Sequence, residues 1–430
     1  MSKFIFILML ILVGLVTAQC AAPTELAPAP VTPVALSYMT WTSDGDLLGR
    51  AERQMFEQFE ASQSNITISL NNYGDNSTRD HLTAAEPPDV MFVWPYEDTL
   101  TPMKEGLLLE VTDVWQQLKL DENIPPQYVR MAEVNGKKYH VPIIYGWTAI
   151  YYNKAIFDQY HLTPPQTWAE FLKVCDTLVE NGITPIALPG DGPWMSSLWF
   201  DYLNLRLNGP DFHARLINGE ERYDTAQVRQ VFETWRSLQE KKYFVAEPMR
   251  WTYEDVISAI VQGDDKFLRP REPAAMILNN SFFFDRTPPK FLAELDFFRF
   301  PTIDPAIPQA EVVDSMGYMV SVHTKHPLEA REFLVYMASA PVQAQLMQQM
   351  QPADIYLPTL KVIDAEKLPP ALKKGQDLVQ NAHSIGTPFF AGIPGAMRGE
   401  VIGGLQRFLQ GADIAQVVAD LEAARQRIYR

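Results

Sequence analysis

ALSYMTW (35–41), DLLGRAERQMFEQFEA (46–61) and ITISLNNY (66–73) follow one another closely, and their patterns decide the fold. The first and third are short runs rich in apolar and β-branched residues, the signature of strands. Between them Leu47, Ala51, Met55 and Phe59 recur every fourth residue, which puts their side chains on one face of a helix. Strand, helix and strand make a βαβ unit, because parallel strands need a crossover that a helix supplies. Sheets of such units carry helices on both faces and bind ligands outside the carboxyl ends of the strands. Residues 42–45, which leave the first strand, therefore form a candidate binding loop.

The same alternation continues downstream. Residues 89–94 read as a buried strand, and 139–145 and 149–152 as two more on either side of Gly146. Thr167-Trp168-Ala169-Glu170 is a capping box that starts a helix, and Asn181-Gly182 ends it. Residues 183–188 are the next strand, and a loop at 189–193 delivers Trp194. From 199 to 261 the pattern is mainly helical. Strands return at 274–278, 295–300 and 318–322, and Pro327 then sits well for the first turn of another helix. Strands that reappear after a helical section must return to an earlier sheet. The expected fold is α/β, with two discontinuous lobes and a cleft between them.

Composition narrows the function. The chain has 430 residues, and a formal charge of -16 without a large Lys/Arg cluster argues against a nucleic-acid partner. Lys3 precedes an apolar run at 4–16, and the small residues Thr17 and Ala18 lead to Cys20. This reads as a signal peptide, because the run is shorter than the roughly 20 residues that span a bilayer. Residues 1–20 are the expected leader, with Cys20 where a bacterial lipoprotein signal places its lipidated residue. Gln19 is not the small residue usual before such a cysteine, so ordinary cleavage after Ala18 is the alternative. Residues 21–35 are a Pro/Ala-rich tether. The other cysteine, Cys175, lies on the stripe Trp168, Phe171, Leu172, Cys175, Leu178, Val179, as a core residue does. Trp235 lies on a similar helical stripe and is expected in the core.

The segment 135–142 (NGKKYHVP) is followed by 149–154 (AIYYNK) with Phe157, and then by 164–171 (PPQTWAEF). In this order the three segments strongly resemble the family 1 extracellular solute-binding proteins of sugar ABC importers. Pro87-Pro88-Asp89-Val90, Gly263, Ala274-Ala275-Met276 and 326–334 (HPLEAREFL) extend the resemblance from about Leu36 to the C-terminus. Two places depart from the family pattern. Asn279-Asn280-Ser281-Phe282 stands where the family usually has Gly-Ser or Gly-Pro with a Trp, and residues 351–358 replace a glycine-proline turn. The resemblance implies a two-lobed receptor, most simply a monomer, that closes on a carbohydrate about a hinge near Gly146 and docks on a membrane permease. It requires no cofactor. The expected lobes are 36–145 with 274–323, and 146–273 with 324–430.

A sugar site needs aromatic platforms for apolar C–H faces, and Asp, Asn, Arg or Lys for the hydroxyls. By strand-end and hinge logic the candidates are Trp41 and Asp44, Trp94 and Tyr96, Tyr145 and Trp147, Trp194, Phe282 and Asp285, and Tyr318. Asp46, Asp191 and Asp314 are further loop acids, with turn capping the favoured role of Asp46. The rival from another class is a secreted polysaccharide-degrading glycoside hydrolase, whose two carboxyls would stand about 5–9.5 Å apart; nothing in the sequence marks such a pair. No nucleophile elbow, His-Glu-x-x-His helix or phosphate-cradling loop is present. The seven histidines are scattered, and Asp44-Gly45-Asp46 lacks the later ligands of a calcium loop, so no metal is assigned.

Overall fold

The structure is a computed structural model that describes residues 33–72, 77–94, 97–190, 193–262, 271–285, 289–350, 356–360 and 368–429. The leader, Cys20 and nearly all of the tether lie outside the described residues, as do Tyr96 and Asp191.

The strands are β1 (Val34–Thr40), β2 (Ile66–Asn72), β3 (Val90–Val93), β4 (Glu133–Val134), β5 (Lys137–Lys138), β6 (Val141–Asn153), β7 (Thr184–Ile186), β8 (Ala274–Asn280), β9 (Leu295–Phe298), β10 (Ala310–Val320), β11 (Leu357–Pro358) and β12 (Ser384–Gly386). Pairing runs β2-β1-β3-β10-β6-β8-β7, with β9 and β11 also on β6 and β12 on β10. The opening βαβ unit is present as expected. β1 is parallel to both β2 and β3, and the helix Leu47–Ser62 buries Leu48, Ala51, Met55 and Phe59 against them. The β4–β5 hairpin turns through Asn135 and Gly136, both at positive φ, which suits the twist of paired strands. The capping box at Thr167 is formed in both directions, and Pro327 opens the helix Pro327–Met337.

One difference organises the molecule. The two strands expected on either side of Gly146 are a single strand, β6, buried along its whole length. It changes partners midway. Residues 141–147 pair with β10, and β11 joins at Ile144 and Tyr145; residues 148–153 pair with β8 and β9. β10 is shared too, since its start pairs with β12 and its end with β3. Two strands thus tie the halves of the two-lobed fold together.

The pairings also correct the expected division of the chain. β8 pairs with β7 and the second half of β6, so 274–280 sit with the 146–273 stretch instead of with β1. The helix Pro327–Met337 goes the other way. Its Phe333 ring packs on Tyr38, Phe56, Phe59 and Tyr318, which belong to the first half. Only the last helices stay with the second half, where Phe408 meets Phe232 and Trp235.

Side chains alternate across a strand, so Tyr145 and Trp147 share one face of β6, and Gly146 and Thr148 the other. Trp147 is 1% exposed and lies under the helix Pro370–Gln380. A Cβ on Gly375 would come within 2.6 Å of its ring, and Phe297 packs at 5.4 Å. Trp147 is therefore core, and the expectation that it touches ligand is corrected. Trp147→Ala should cost about 3–5 kcal/mol of stability by leaving a cavity. Thermal melts should show the loss, while titration well below the lowered Tm should show ligand affinity within about twofold of the parent.

Candidate ligand-binding cleft

A cavity of about 700 Å³ opens where β1, β3 and β8 end. Trp41 follows β1 and Trp94 follows β3, so parallel neighbours deliver two indoles to the same place. They stack with centroids 5.0 Å apart and an interplanar angle of 22°, and Trp94 keeps 36% of its surface exposed. Facing them are Trp194, from the first turn of the helix Pro193–Ile217, and Tyr253 with Glu254, where the helix Tyr253–Val261 begins. Phe390 and Arg398 come from the C-terminal part of the chain. Arg398 Nε donates to the carbonyl of Phe390 at 2.8 Å, and its guanidinium lies over that residue's ring.

The floor is polar. Asn280 ends β8, and its Nδ2 donates to Asp314 Oδ2 at 2.6 Å. Asp285 lies just beyond, and its Oδ1 accepts from the Leu48 amide at 3.3 Å. This contact lets a carboxyl from the segment after β8 cap the first turn of the helix Leu47–Ser62, where negative charge is favoured. Phe282 also lines the cavity and stacks on Tyr356 at 4.8 Å. Its ring occupies the space that a side chain at 146 would fill, because a Cβ there would lie 2.5 Å from it. Asp46 lines the cavity as well, while its Oδ2 holds the turn by accepting from the Ser43 amide and hydroxyl.

Aromatic walls around a floor of carboxyl and amide groups can hold a molecule that has apolar faces and hydrogen-bond donors. The bacterial extracellular solute-binding protein family model matches residues 45–344. This chain belongs to that family. The solute-binding protein is 25% identical to the multiple sugar-binding protein of Streptococcus mutans over 67% of this chain and 68% of that one. It is also 25% identical to an ABC transporter extracellular-binding protein of Pyrococcus horikoshii over 53% of each chain. It spans about half the length of the first curated relatives it matches. The solved structure of the bacterial solute receptor AcbH, described with an exclusive preference for β-D-galactopyranose, superposes with a TM-score of 0.83 at 22% identity. The match covers 93% of this chain and 100% of that one, and at this identity it establishes the two-lobed fold. The family is one of solute-binding proteins, not enzymes.

Of the residues expected to bind, Trp41, Trp94, Trp194, Phe282 and Asp285 line the binding protein's cleft. Tyr145 and Tyr318 do not. Tyr145 faces away with Trp147 and packs on Tyr128 at 5.1 Å. Tyr318 lies inside β10, which begins at Ala310 and not at 318, and it is fully buried. Asp44 is also corrected: it is exposed, pairs with Arg53 at 2.7 Å, and lies off the cavity. Tyr96 lies outside the described residues. Asn280, Tyr253, Glu254, Phe390 and Arg398 also line the cleft beyond the expected residues, and Asp314, expected in a loop, is on β10. Two signals were available. Asn280 ends a strand by the same logic that selected Phe282, and Thr252-Tyr253-Glu254-Asp255 is a capping box that announces a helix N-terminus.

Behind Trp41, Glu52 is buried and accepts from Tyr38 Oη and Thr42 Oγ1, each at 2.8 Å, and from Tyr318 Oη at 3.3 Å. Burial pushes its carboxyl up to about 7 from the usual 4.5, against the opposing pull of these hydrogen bonds. A folded-state value above the unfolded one means that the native protein holds the extra proton between pH 4.5 and 7. Stability from this group is then greatest below that window and falls as pH rises through it. The gap in unfolding free energy between wild type and Glu52→Gln should shift by about 3 kcal/mol, to the disadvantage of wild type, from pH 4.5 to pH 7. Denaturant titrations across that range check it; parallel curves would show that Glu52 does not titrate there.

Proposed function

We propose that this solute-binding protein is the extracytoplasmic receptor of an ABC importer, and that it captures a carbohydrate in the cleft and hands it to a permease. The observation that carries the reading is the Trp41–Trp94 stack set against a floor of Asn280, Asp314 and Asp285. Pyranose rings offer apolar faces to indoles and hydroxyls to amides and carboxyls, and a cavity of this size falls in the range of small-molecule sites. The relatives agree: beside the streptococcal protein, the melibiose/raffinose/stachyose-binding protein of Bacillus subtilis is 24% identical over 62% of each chain. A sugar transporter structure from Bacillus licheniformis in complex with stachyose has a TM-score of 0.70 at 18% identity.

The lobes pivot where β6 exchanges β10 for β8, beside Gly146. Ligand held by the Trp41–Trp94 wall recruits Trp194, Tyr253 and Phe390 from the other side, so closure adds contacts that the open form lacks. The receptor acts as a monomer, exported by its leader and anchored through lipidated Cys20, with the Pro/Ala-rich segment as tether. No described helix is long and apolar enough to cross a membrane.

A thermal-shift screen of galactose, melibiose, raffinose and stachyose tests the reading, since ligand at 100 times its Kd stabilises by about 2.7 kcal/mol. At least one should raise the Tm, and Trp94→Ala should weaken that ligand about tenfold or more with an unchanged melt. Silence across these and a wider sugar panel would reject carbohydrate as the cargo. In the native host Cys20→Ala should move the protein from the membrane to the soluble fraction with unaltered affinity; equal retention would reject the anchor.

A further inference from the structure

Two polar atoms on cleft-lining residues, Trp41 Nε1 and Asn280 Oδ1, are buried without a hydrogen-bond partner among the described residues, and the second is the acceptor of the two. Asn280 lines the cavity and is 7% exposed, and its Oδ1 is buried with no hydrogen-bond partner among the described residues. A buried amide oxygen in that condition is costly, and in a binding protein the cost is recovered when a ligand donates to it. The amide is also oriented. Asp314 Oδ2 accepts from Nδ2 at 2.6 Å, and turning the amide over would bring oxygen against oxygen. The carbonyl of Asn280 is therefore fixed as the unmatched end.

Strand register explains how this pair forms. Asp314 stands opposite Gly146, and Asn280 opposite Thr148, so both side chains rise from the same face of the sheet, one on each side of β6. They meet across β6, beside Gly146, through the hydrogen bond from Asn280 Nδ2 to Asp314 Oδ2. The neighbouring charges have one predominant sign. Asp46, Glu254, Asp285 and Asp314 line the cavity, while the Arg398 guanidinium is engaged with Phe390 on the wall.

We propose that Asn280, held by Asp314, is the specificity-determining acceptor of the cleft, taking a hydrogen bond from a ligand hydroxyl and restricting the site to neutral sugars. This rests on the carbohydrate reading and sharpens it. A sugar whose carboxylate or phosphate faces Asn280 Oδ1 offers it only acceptors there, and in any pose it brings like charge to the surrounding carboxyls, so acidic sugars are disfavoured. Asn280 touches the ligand; Asp314 is its positioning residue.

The test is calorimetric titration of the full chain with matched probes: D-galactose against D-galacturonate, and D-glucose against D-glucuronate and glucose 6-phosphate, with raffinose as a larger neutral probe. Wild type should bind one or more neutral probes and prefer them at least a hundredfold over the acidic counterparts. Asn280→Ala should lose about tenfold or more in affinity for the neutral probe. Asp314→Asn, which lets the amide turn and removes a charge, should reduce the neutral-over-acid preference by about tenfold, a ratio that a purely structural role would leave alone. An acidic sugar bound by wild type as tightly as its neutral parent overturns the inference without any variant. So does full neutral-sugar affinity in Asn280→Ala, and an unchanged ratio in Asp314→Asn removes Asp314 from it. If no probe of either charge binds and the wider sugar panel is silent too, the carbohydrate reading falls and this inference falls with it.

Discussion

The bare backbone at Gly146 is the constraint on which the rest depends. β6 must run unbroken between the two halves, so the cleft cannot be lined there by a side chain of the crossing strand. Gly146 instead leaves a gap that the Phe282 ring and the Ser281 hydroxyl fill from just beyond β8, while Asn280 and Asp314 pair on the same face from the strands flanking β6. An alanine at 146 would already push against the Phe282 ring and the Ser281 hydroxyl. A glycine in a central strand usually weakens it, and here the surrounding pairing on both sides offsets that cost.

Much of the fold was legible because its signals are local. The periodicity of 46–61 and the reciprocal capping at Thr167 and Glu170 each depend on residues within a few positions of one another, and the structure has both. What could not be read locally was partnership. Ala274–Asn280 has the pattern of any buried strand, and nothing in it says whether it joins β1 or β7. The helix after Pro327 was equally mute about its destination until Phe333 met Tyr38 and Phe59. Lobe boundaries in a discontinuous fold are long-range facts, and the expected division failed for that reason.

The site divides along the same line. Trp41, Trp94 and Phe282 stand just past strand ends, where the rule for α/β sheets applies directly. Tyr145, Trp147 and Tyr318 lie away from the cleft because the strands are longer than their hydrophobic runs suggest. β10 begins eight residues before Tyr318 and β6 continues past Gly146, so residues taken for strand ends lie in strand middles. Glu52 left no trace in the sequence, being one acid among the charges of an amphipathic helix. Its burial appears only when Tyr38, Thr42 and Tyr318 converge on it.

The two-partner strand also sets the timing of folding. β6 ends at Asn153, yet its neighbours on either side come from 274–298, 310–320 and 357–358. As the chain is synthesised, the centre of the sheet stays open until more than two-thirds of it has been made, and every contact that closes it spans a long loop. βαβ structure can gather early around β1 and β2, but cooperative closure has to wait. A nascent chain built this way cannot close its central sheet until most of its length has been made.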